Sequence, residues 1–167
     1  MRVGSGFDIH RLIQGRKLVL GGVTIPFKKG LLGHSDADVL LHAACDALLG
    51  ASGLGDIGRH FPDTEPSFKD ISSMELLART FRLVRDKGFF VNNVDATILA
   101  EAPRLEPHCS AMQENIARVL ELETADVNIK ATTMEGVGPI GKGEAIAAMC
   151  VVTLREKQGA RSSWLKA

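Results

Sequence analysis

The order of apolar and polar residues along the chain predicts strands and helices in alternation. Residues 2–10 have the period of a β-strand, with large apolar side chains on one face and small or polar residues on the other: Val3, Phe7 and Ile9 against Gly4, Gly6, Asp8 and His10. Further strand patterns end at a proline, at turns or at polar segments: Lys17 to Ile25 (broken at Gly21-Gly22), Val94 to Ala100, Asp126 to Thr133, and a last strand that ends at Leu154.

Helical spacing begins shortly after the second strand. The first helix is predicted to start at the N-cap Ser35 and to end at Gly50. One face of this helix is apolar, and the opposite face carries Asp38, His42 and Asp46 at successive turns.

Two more helices are predicted. One runs from the capping box Ser72-x-x-Glu75 to Gly88, and the other follows Pro107. Residues 51–71, rich in Gly, Asp and Pro, read as a long loop that is either functional or mobile. The element order is β-β-α-α-β-α-β-β, which predicts a two-layer α+β sandwich with helices on one face of a mixed sheet. Residues 1–154 would form a single domain, and residues 155–167 a polar, frayed tail.

The last strand is apolar on both of its faces between Ala145 and Val152. Such a strand has to be covered twice, whereas three helices in a chain of 167 residues cover one side of a sheet. A symmetric partner would cover the other side. The sequence therefore predicts a homo-oligomer.

The composition of the chain argues against several classes of function. Twenty Lys and Arg residues balance twenty Asp and Glu residues, so no overall field attracts nucleic acid or an anionic membrane. Aromatic residues make up 5% of the chain, too few for a base-stacking platform. The longest apolar run is too short for a bilayer, and the N-terminus resembles no targeting segment. Three widely spaced cysteines argue against a disulfide framework. We expect a cytoplasmic protein.

The first candidate chemistry is a metal site. Asp8 and His10 share one face of the first strand, although such a pair is also common on ordinary surfaces. If the polar stripe of the first helix packs against this face, His42 completes a three-ligand set with an open fourth position, typical of catalytic zinc. Asp38 or Asp46 would then orient the His42 ring. The competing interpretation of His42 is a half-buried histidine without a ligand.

Two other segments have open interpretations. Residues 33–38 precede a helix and could bind an anion, or Asp36 and Asp38 could simply complement the helix dipole. Residues 130–136 end a strand with two threonines and Glu135, which suits phosphate oxygens and a hard cation, or is a plain strand end. No Walker A motif, Gly-x-Ser-x-Gly motif or paired nucleophile is present.

Six motifs taken together resemble one family, the 2-C-methyl-D-erythritol 2,4-cyclodiphosphate synthases of the non-mevalonate isoprenoid pathway. They occur in order over residues 1–154: Gly4-x-Gly6-Phe7-Asp8-Ile9-His10, Gly21-Gly22-Val23-x-Ile25-Pro26, Gly33-His34-Ser35-Asp36-x-Asp38-Val39, Gly55-Asp56-Ile57-Gly58-x-x-Phe61-Pro62-Asp63-Thr64, Asn93-Val94-Asp95 and Asn128-Ile129-Lys130-Ala131-Thr132-Thr133-x-Glu135. The resemblance is to the stand-alone cyclase and not to the fused bifunctional form.

The resemblance implies a lyase that converts 4-diphosphocytidyl-2-C-methyl-D-erythritol 2-phosphate to the 2,4-cyclodiphosphate and releases CMP. It implies a homotrimer with active sites between subunits, one zinc per subunit on Asp8, His10 and His42, and Mg²⁺ or Mn²⁺ on Glu135. His34 and Thr133 would be catalytic. The implied substrate-binding residues are Ser35, Asp56, Ile57, Gly58, Phe61, Pro62, Asp63, Thr64, Glu65, Ala100, Pro103, Arg104, Leu105, Glu106, Ala131, Thr132, Glu135 and Lys142.

The chain departs from the family pattern at four positions. Ser5 replaces a common histidine, and Arg104 takes the place of a lysine in the cytidine pocket. Pro139 and Lys142 replace an aromatic residue and an arginine near the central cavity, which holds isoprenoid diphosphates in some relatives. Because lysine is a point charge and not a bidentate fork, these changes weaken the expectation of isoprenoid binding in this chain.

Two alternative functions are consistent with the same residues. A zinc phosphodiesterase would use bound water as the nucleophile in place of the substrate's own phosphate. A trimeric diphosphate-binding protein without turnover would retain its ligand and release no CMP.

Overall fold

The computed structural model describes residues 1–156. It contains seven strands and five helices, besides short 3-10 turns: β1 (Arg2–Gln14), β2 (Leu18–Leu20), β3 (Val23–Ile25), β4 (Lys29–Leu31), α1 (Val39–Ser52), α2 (Ile57–His60), α3 (Ser73–Asp86), β5 (Phe89–Leu99), α4 (Cys109–Leu120), β6 (Val127–Thr132), α5 (Gly138–Gly141) and β7 (Ala145–Glu156). Within residues 1–156, no helix has the length and apolar character needed to cross a membrane.

Five strands form one mixed sheet in the order β4-β1-β7-β5-β6, and β2 pairs with β3 in a small hairpin. Neighbours in the main sheet are antiparallel except for β5 and β6, which run parallel. Helices α1, α3 and α4 pack against this sheet, with α1 lying over β1 and β7. The predicted α+β fold with a mixed sheet is therefore confirmed.

The close approach of α1 to β1 depends on two glycines. Gly4 and Gly6 lie on the face of β1 that meets α1, and an added Cβ at either position would overlap the backbone of Ala47 or Ala43. Because these positions lack side chains, the helix backbone rests almost directly on the strand. This contact brings His42 of α1 next to Asp8 and His10 of β1.

The start of α1 differs from the sequence prediction. The N-cap is Asp38 and not Ser35, and the helix ends at Ser52 with Gly53 as its left-handed cap, beyond the predicted Gly50. Asp38 is fully buried and accepts hydrogen bonds from the backbone N–H groups of Leu41 (3.2 Å) and Gly22 (2.8 Å). Burial raises its pKa to about 6, although these hydrogen bonds act in the opposite direction. Asp38 therefore joins the helix to the β2–β3 hairpin.

Other boundaries were also only partly predicted. The loop over residues 51–71 contains α2 and a 3-10 turn at Pro66–Phe68. Ser72 caps α3 as expected, but the Glu75 side chain pairs with Arg79 and does not complete a capping box. β7 extends through Glu156, so the predicted frayed tail is wrong for residues 155–156. Residues 157–167 of that tail lie outside the described part of the chain.

The two faces of the sheet differ in their surroundings. The face beneath the helices is buried and includes Ala148, Cys150 and Val152 of β7. On the other face, large apolar side chains of β1 and β7 are exposed: Val3, Phe7, Ile9, Met149 and Val151. Phe7 lies beside Met149 in the register of the two strands. We call these five residues the open apolar face.

The contact between β1 and α1 predicts opposite effects for two glycine substitutions. Gly6→Ala places a methyl group against the backbone of Ala43, so the free energy of unfolding should fall by about 1–3 kcal/mol, the range typical of overpacking. The helix must also move away from β1, which separates His42 from Asp8. Urea denaturation measures the stability change.

Gly50→Ala is the matched control within α1. An added Cβ at Gly50 meets no neighbour, so replacing this helical glycine should stabilise the protein by about 0.5–1 kcal/mol. Equal effects of the two substitutions would contradict the packing described for Gly6.

Candidate metal centre and adjoining cavities

Three potential ligands converge where β1 meets α1. Oδ2 of Asp8 lies 2.8 Å from Nε2 of His10 and 3.0 Å from Nδ1 of His42, and the two ring nitrogens are 3.2 Å apart. All three side chains are partly buried. Among residues 1–156 this is the one group of three or more His, Cys, Asp or Glu side chains arranged to hold a metal ion. The predicted convergence of Asp8, His10 and His42 is confirmed.

The hydrogen bonds of His10 show that the site suits a cation. Nδ1 of His10 lies 2.7 Å from the backbone oxygen of Leu32, and a carbonyl oxygen can only accept. The hydrogen of a neutral His10 ring is therefore on Nδ1, which leaves the lone pair of Nε2 directed at the Asp8 carboxylate. Two acceptors facing each other at 2.8 Å need a proton or a metal ion between them. One carboxylate and two imidazoles form a donor set that fits zinc with one position open.

The pKa shifts of Asp8 and His10 have the same origin. Burial acts to raise the pKa of Asp8, but its hydrogen bonds to His10 and His42 outweigh burial and hold it well below its usual value. Burial acts to lower the pKa of His10, and the hydrogen bond and charge of Asp8 outweigh burial and raise it. A proton thus competes with a metal ion for this site.

The residues predicted to orient His42 are not the ones that hydrogen-bond its ring. Asp46 accepts a hydrogen bond from the backbone N–H of Ile57 at 2.8 Å, and Asp38 caps α1. Instead, Nε2 of His42 lies 3.1 Å from Oγ of Ser35 and 3.0 Å from Oγ of Ser73. Ser73 was missed because it reads as an ordinary first-turn residue of α3.

A cavity of about 520 Å³ opens beside the metal centre. His10 and His42 lie in its wall, together with much of the region over residues 57–64. The other predicted site residues that line this cavity are His34, Ser35, Ile57, Gly58, Phe61, Pro62, Asp63 and Thr64. Asp56 caps α2 just outside, and the backbone oxygen of Glu65 lies 3.3 Å from Nε2 of His34. We call this space the metal-side cavity.

The segment that carries His34 is held by several backbone contacts. The guanidinium of Arg16 donates to the backbone oxygens of Gly33 (3.0 Å) and Ser35 (2.7 Å). The backbone oxygen of His34 accepts from the N–H of Asp70 at 2.8 Å. Arg16 was another residue that the sequence pattern did not single out, because it lies in the turn between β1 and β2, outside the quoted motifs.

A second cavity of about 330 Å³ lies at the ends of β5 and β6. It is lined by eight predicted site residues: Ala100, Pro103, Arg104, Leu105, Glu106, Ala131, Thr132 and Thr133. Glu101 also lines it and was missed; its carboxylate accepts from the backbone N–H of Met134 at 3.2 Å. We call this space the strand-end cavity.

The two cavities share no lining residue in the described chain. His34 and Thr133, both predicted to be catalytic, therefore lie in different cavities. Glu135 lies beside the strand-end cavity, where its Oε1 accepts a hydrogen bond from Oγ1 of Thr133 at 2.6 Å. Lys142 is exposed after α5 and lines neither cavity.

Comparison with known proteins identifies the family. The model of the YgbB family matches residues 1–155. The chain belongs to the YgbB family. A curated relative of this YgbB chain from Desulfosudis oleivorans, named 2-C-methyl-D-erythritol 2,4-cyclodiphosphate synthase, is 60% identical over 158 residues, which are 95% of this chain and 94% of the relative. The resemblance found in the sequence motifs is therefore confirmed.

Solved structures agree with this membership of the YgbB family. The bifunctional IspDF from Campylobacter jejuni matches with a TM-score of 0.90 and 46% identity over 93% of this chain, which corresponds to 42% of that longer chain. A 2C-methyl-D-erythritol-2,4-cyclodiphosphate synthase in its CDP-bound form matches with a TM-score of 0.85 and 38% identity, covering 92% of this chain and all of that one.

The raised pKa of His10 predicts how metal affinity depends on pH. A zinc ion that binds here would have to displace the proton that Asp8 stabilises on His10, whereas Asp8 itself stays ionised throughout the neutral range. The dissociation constant for zinc should therefore rise by up to about tenfold per unit as pH falls below the raised pKa. Competition titrations with a chelator, corrected for the chelator's own protonation, measure this. A zinc affinity that does not change between neutral and mildly acidic pH would contradict the arrangement.

Proposed function

We propose that this chain converts 4-diphosphocytidyl-2-C-methyl-D-erythritol 2-phosphate to 2-C-methyl-D-erythritol 2,4-cyclodiphosphate with release of CMP. The observation that carries the proposal is the Asp8, His10 and His42 cluster, which borders a cavity in a chain about 60% identical to curated synthases of that name. A non-catalytic binding protein would not require three metal ligands with an open position.

The reaction needs no nucleophile from the protein. An oxygen of the 2-phosphate forms a bond to the β-phosphorus, the bond from that phosphorus to the bridging oxygen breaks, and CMP leaves with the electron pair. A phosphate monoester has a second pKa of about 6, so the attacking group is already mostly dianionic at neutral pH. The task of the chain is to hold two anionic groups in line while charge spreads over the equatorial oxygens.

Metal ligands address the repulsion between these anions. Asp8, His10 and His42 hold zinc, one ion per subunit, which supplies a Lewis acid and a template for phosphate oxygens when bound. Glu135, oriented by Thr133, helps to hold Mg²⁺ or Mn²⁺ on the diphosphate. A protein with no net charge can thus bind a highly anionic substrate, because the positive charge is local and comes with the metal ions.

Each of the two cavities binds a different part of the substrate in this proposal. The metal-side cavity receives the methylerythritol phosphate, with Ser35 and the segment over residues 56–65 around it. The strand-end cavity receives cytidine, where Arg104, Leu105 and the backbone near Ala100 and Ala131 face the base and ribose. The solved relative in its CDP-bound form supports a nucleotide site in this fold. His34 and Thr133 stabilise the transition state from the two sides.

A homotrimer brings the two halves together. The two cavities share no lining residue among residues 1–156, but in this proposal one substrate occupies both. The metal-side cavity of one copy would therefore face the strand-end cavity of the next. The open apolar face supports this assembly, since exposed clusters of large apolar side chains mark interaction surfaces. Lys142 lies near the threefold axis in this arrangement.

The nature of the product tests the proposed reaction. Purified protein loaded with zinc and Mg²⁺ should turn 4-diphosphocytidyl-2-C-methyl-D-erythritol 2-phosphate into CMP and a cyclic diphosphate, seen by ³¹P NMR as two coupled phosphorus signals. The His42→Ala variant lacks one metal ligand, so it should release CMP more than about 100-fold more slowly than the wild type. An open bis-phosphate product would show a water-using phosphodiesterase, and retained substrate without CMP would show a binding protein; either result contradicts the proposal.

Sedimentation equilibrium tests the trimer. The wild-type protein should have three times the 17.9 kDa mass of one chain at micromolar concentration. Phe7→Glu puts a charge on the open apolar face and should shift the population toward monomer, since burying an unpaired carboxylate is costly. Phe27→Glu, at an exposed phenylalanine outside the sheet, serves as the control and should stay trimeric. A wild-type mass of one chain would refute the assembly.

A further inference from the structure

The outer nitrogen of the His42 ring has two hydroxyl neighbours. Oγ of Ser73 lies 3.0 Å from Nε2 and Oγ of Ser35 lies 3.1 Å from it. Ser73 is fully buried at the first turn of α3, and Ser35 is almost as buried, in the segment before α1. The ring nitrogen that faces Asp8 and His10 is Nδ1. His42 would therefore bind a metal through Nδ1, and the serines contact the side of the ring away from it.

Asp36 determines the direction of the Ser73 hydrogen bond. The Ser73 hydroxyl donates to Oδ1 of Asp36 in a short contact, and the backbone N–H of Ser73 donates to Oδ2 of the same carboxylate at 3.0 Å. A carboxylate only accepts, and a serine hydroxyl has one hydrogen. With that hydrogen directed at Asp36, Ser73 can only accept from His42. The hydrogen shared between Ser73 and His42 must therefore belong to Nε2 of the ring.

We infer that Asp36 and Ser73 are positioning residues that hold His42 as its Nε2–H tautomer, with the Nδ1 lone pair directed at the metal centre. This inference rests on the metal role of His42 in the proposed function. Neutral histidine carries one ring hydrogen, so fixing it on Nε2 frees Nδ1. Partners of this kind orient a metal-binding ring and raise its basicity.

The same chain of hydrogen bonds assigns different roles to the two serines. Oγ of Ser35 accepts from the backbone N–H of Ala37 at 3.1 Å and lies within reach of the Nε2 hydrogen, so neither contact uses its own hydrogen. Ser35 lines the metal-side cavity and Ser73 does not. The hydroxyl hydrogen of Ser35 is thus left for a phosphate oxygen in the cavity, while that of Ser73 is committed to Asp36.

Zinc affinity measured on the Ser73→Ala protein tests the inference without an activity assay. Removing the Ser73 hydroxyl removes the acceptor that Asp36 fixes for the Nε2 hydrogen, and the remaining Ser35 hydroxyl is free to donate to Nε2 as well as to accept from it. The dissociation constant for zinc should therefore rise about 10–100-fold in chelator competition. Asp36→Asn should change it in the same direction, because the neutral amide accepts less strongly from Ser73. Ser52→Ala is the matched control: Ser52 is equally buried, lies on the same helix as His42 and donates to the backbone oxygen of Leu48 at 2.8 Å.

A structural role for Ser73 makes a different prediction. If Ser73 only supports the start of α3, Ser73→Ala and Ser52→Ala should lower the free energy of unfolding by similar amounts when urea denaturation is measured without metal. Both variants should then keep the zinc affinity of the wild type. Nitrogen-15 NMR of the histidine rings provides a second readout on the unmodified sequence. It should show His42 of the zinc-loaded protein protonated at Nε2.

The outcomes separate this inference from the proposed function. Ser73→Ala with a zinc dissociation constant within about twofold of wild type, or His42 protonated at Nδ1 in the zinc-loaded wild type, would overturn the inference and leave the proposed reaction standing. A wild-type protein that binds no zinc would overturn both.

Discussion

The contact between the backbone of α1 and the glycine face of β1 determines the position of every group in the metal centre. Gly4 and Gly6 let the helix approach so closely that His42 reaches Asp8, two residues beyond Gly6 on the same strand face. A Cβ at Gly4 or Gly6 would lie 2.1 Å or 2.0 Å from a carbonyl oxygen of α1, so any side chain there would force the helix away from the strand. Metal ligation tolerates changes of only a few tenths of an ångström, so the packing of this pair and the chemistry of the site cannot vary independently.

Bringing the side chains of the metal centre together costs electrostatic free energy, and this cost lies beside the cavity that would receive the substrate. A carboxylate and two imidazole nitrogens lie within 3.2 Å of one another, and burial removes part of the water that would otherwise solvate them. Without a cation, a proton on His10 relieves the arrangement, as the raised pKa of that ring indicates. A divalent metal ion held by Asp8, His10 and His42 would also relieve it and would leave net positive charge beside the metal-side cavity. The rest of the chain, with equal numbers of acidic and basic residues, adds no comparable field.

Local patterns predicted the strand face of Asp8 and His10, the apolar surface of α1 and the mixed α+β order, because period and turn residues depend on neighbours in sequence. The convergence of His42 with β1 could be stated only as a condition, since packing across 32 residues is a tertiary property. Ser73 could not be found in this way: its contact with His42 depends on how α3 sits beside α1. The predicted orienting residues Asp38 and Asp46 were wrong for the same reason, because the nearby N–H groups of Leu41, Gly22 and Ile57 already occupy their carboxylates.

The central claim is that Asp8, His10 and His42 bind one zinc ion. X-ray absorption at the zinc K-edge of the purified, zinc-loaded protein tests it directly. The account predicts nitrogen and oxygen neighbours at about 2.0–2.1 Å together with the multiple-scattering pattern of two imidazole rings. A shell containing sulfur, or one without imidazole scattering, would place the ion elsewhere and contradict the account.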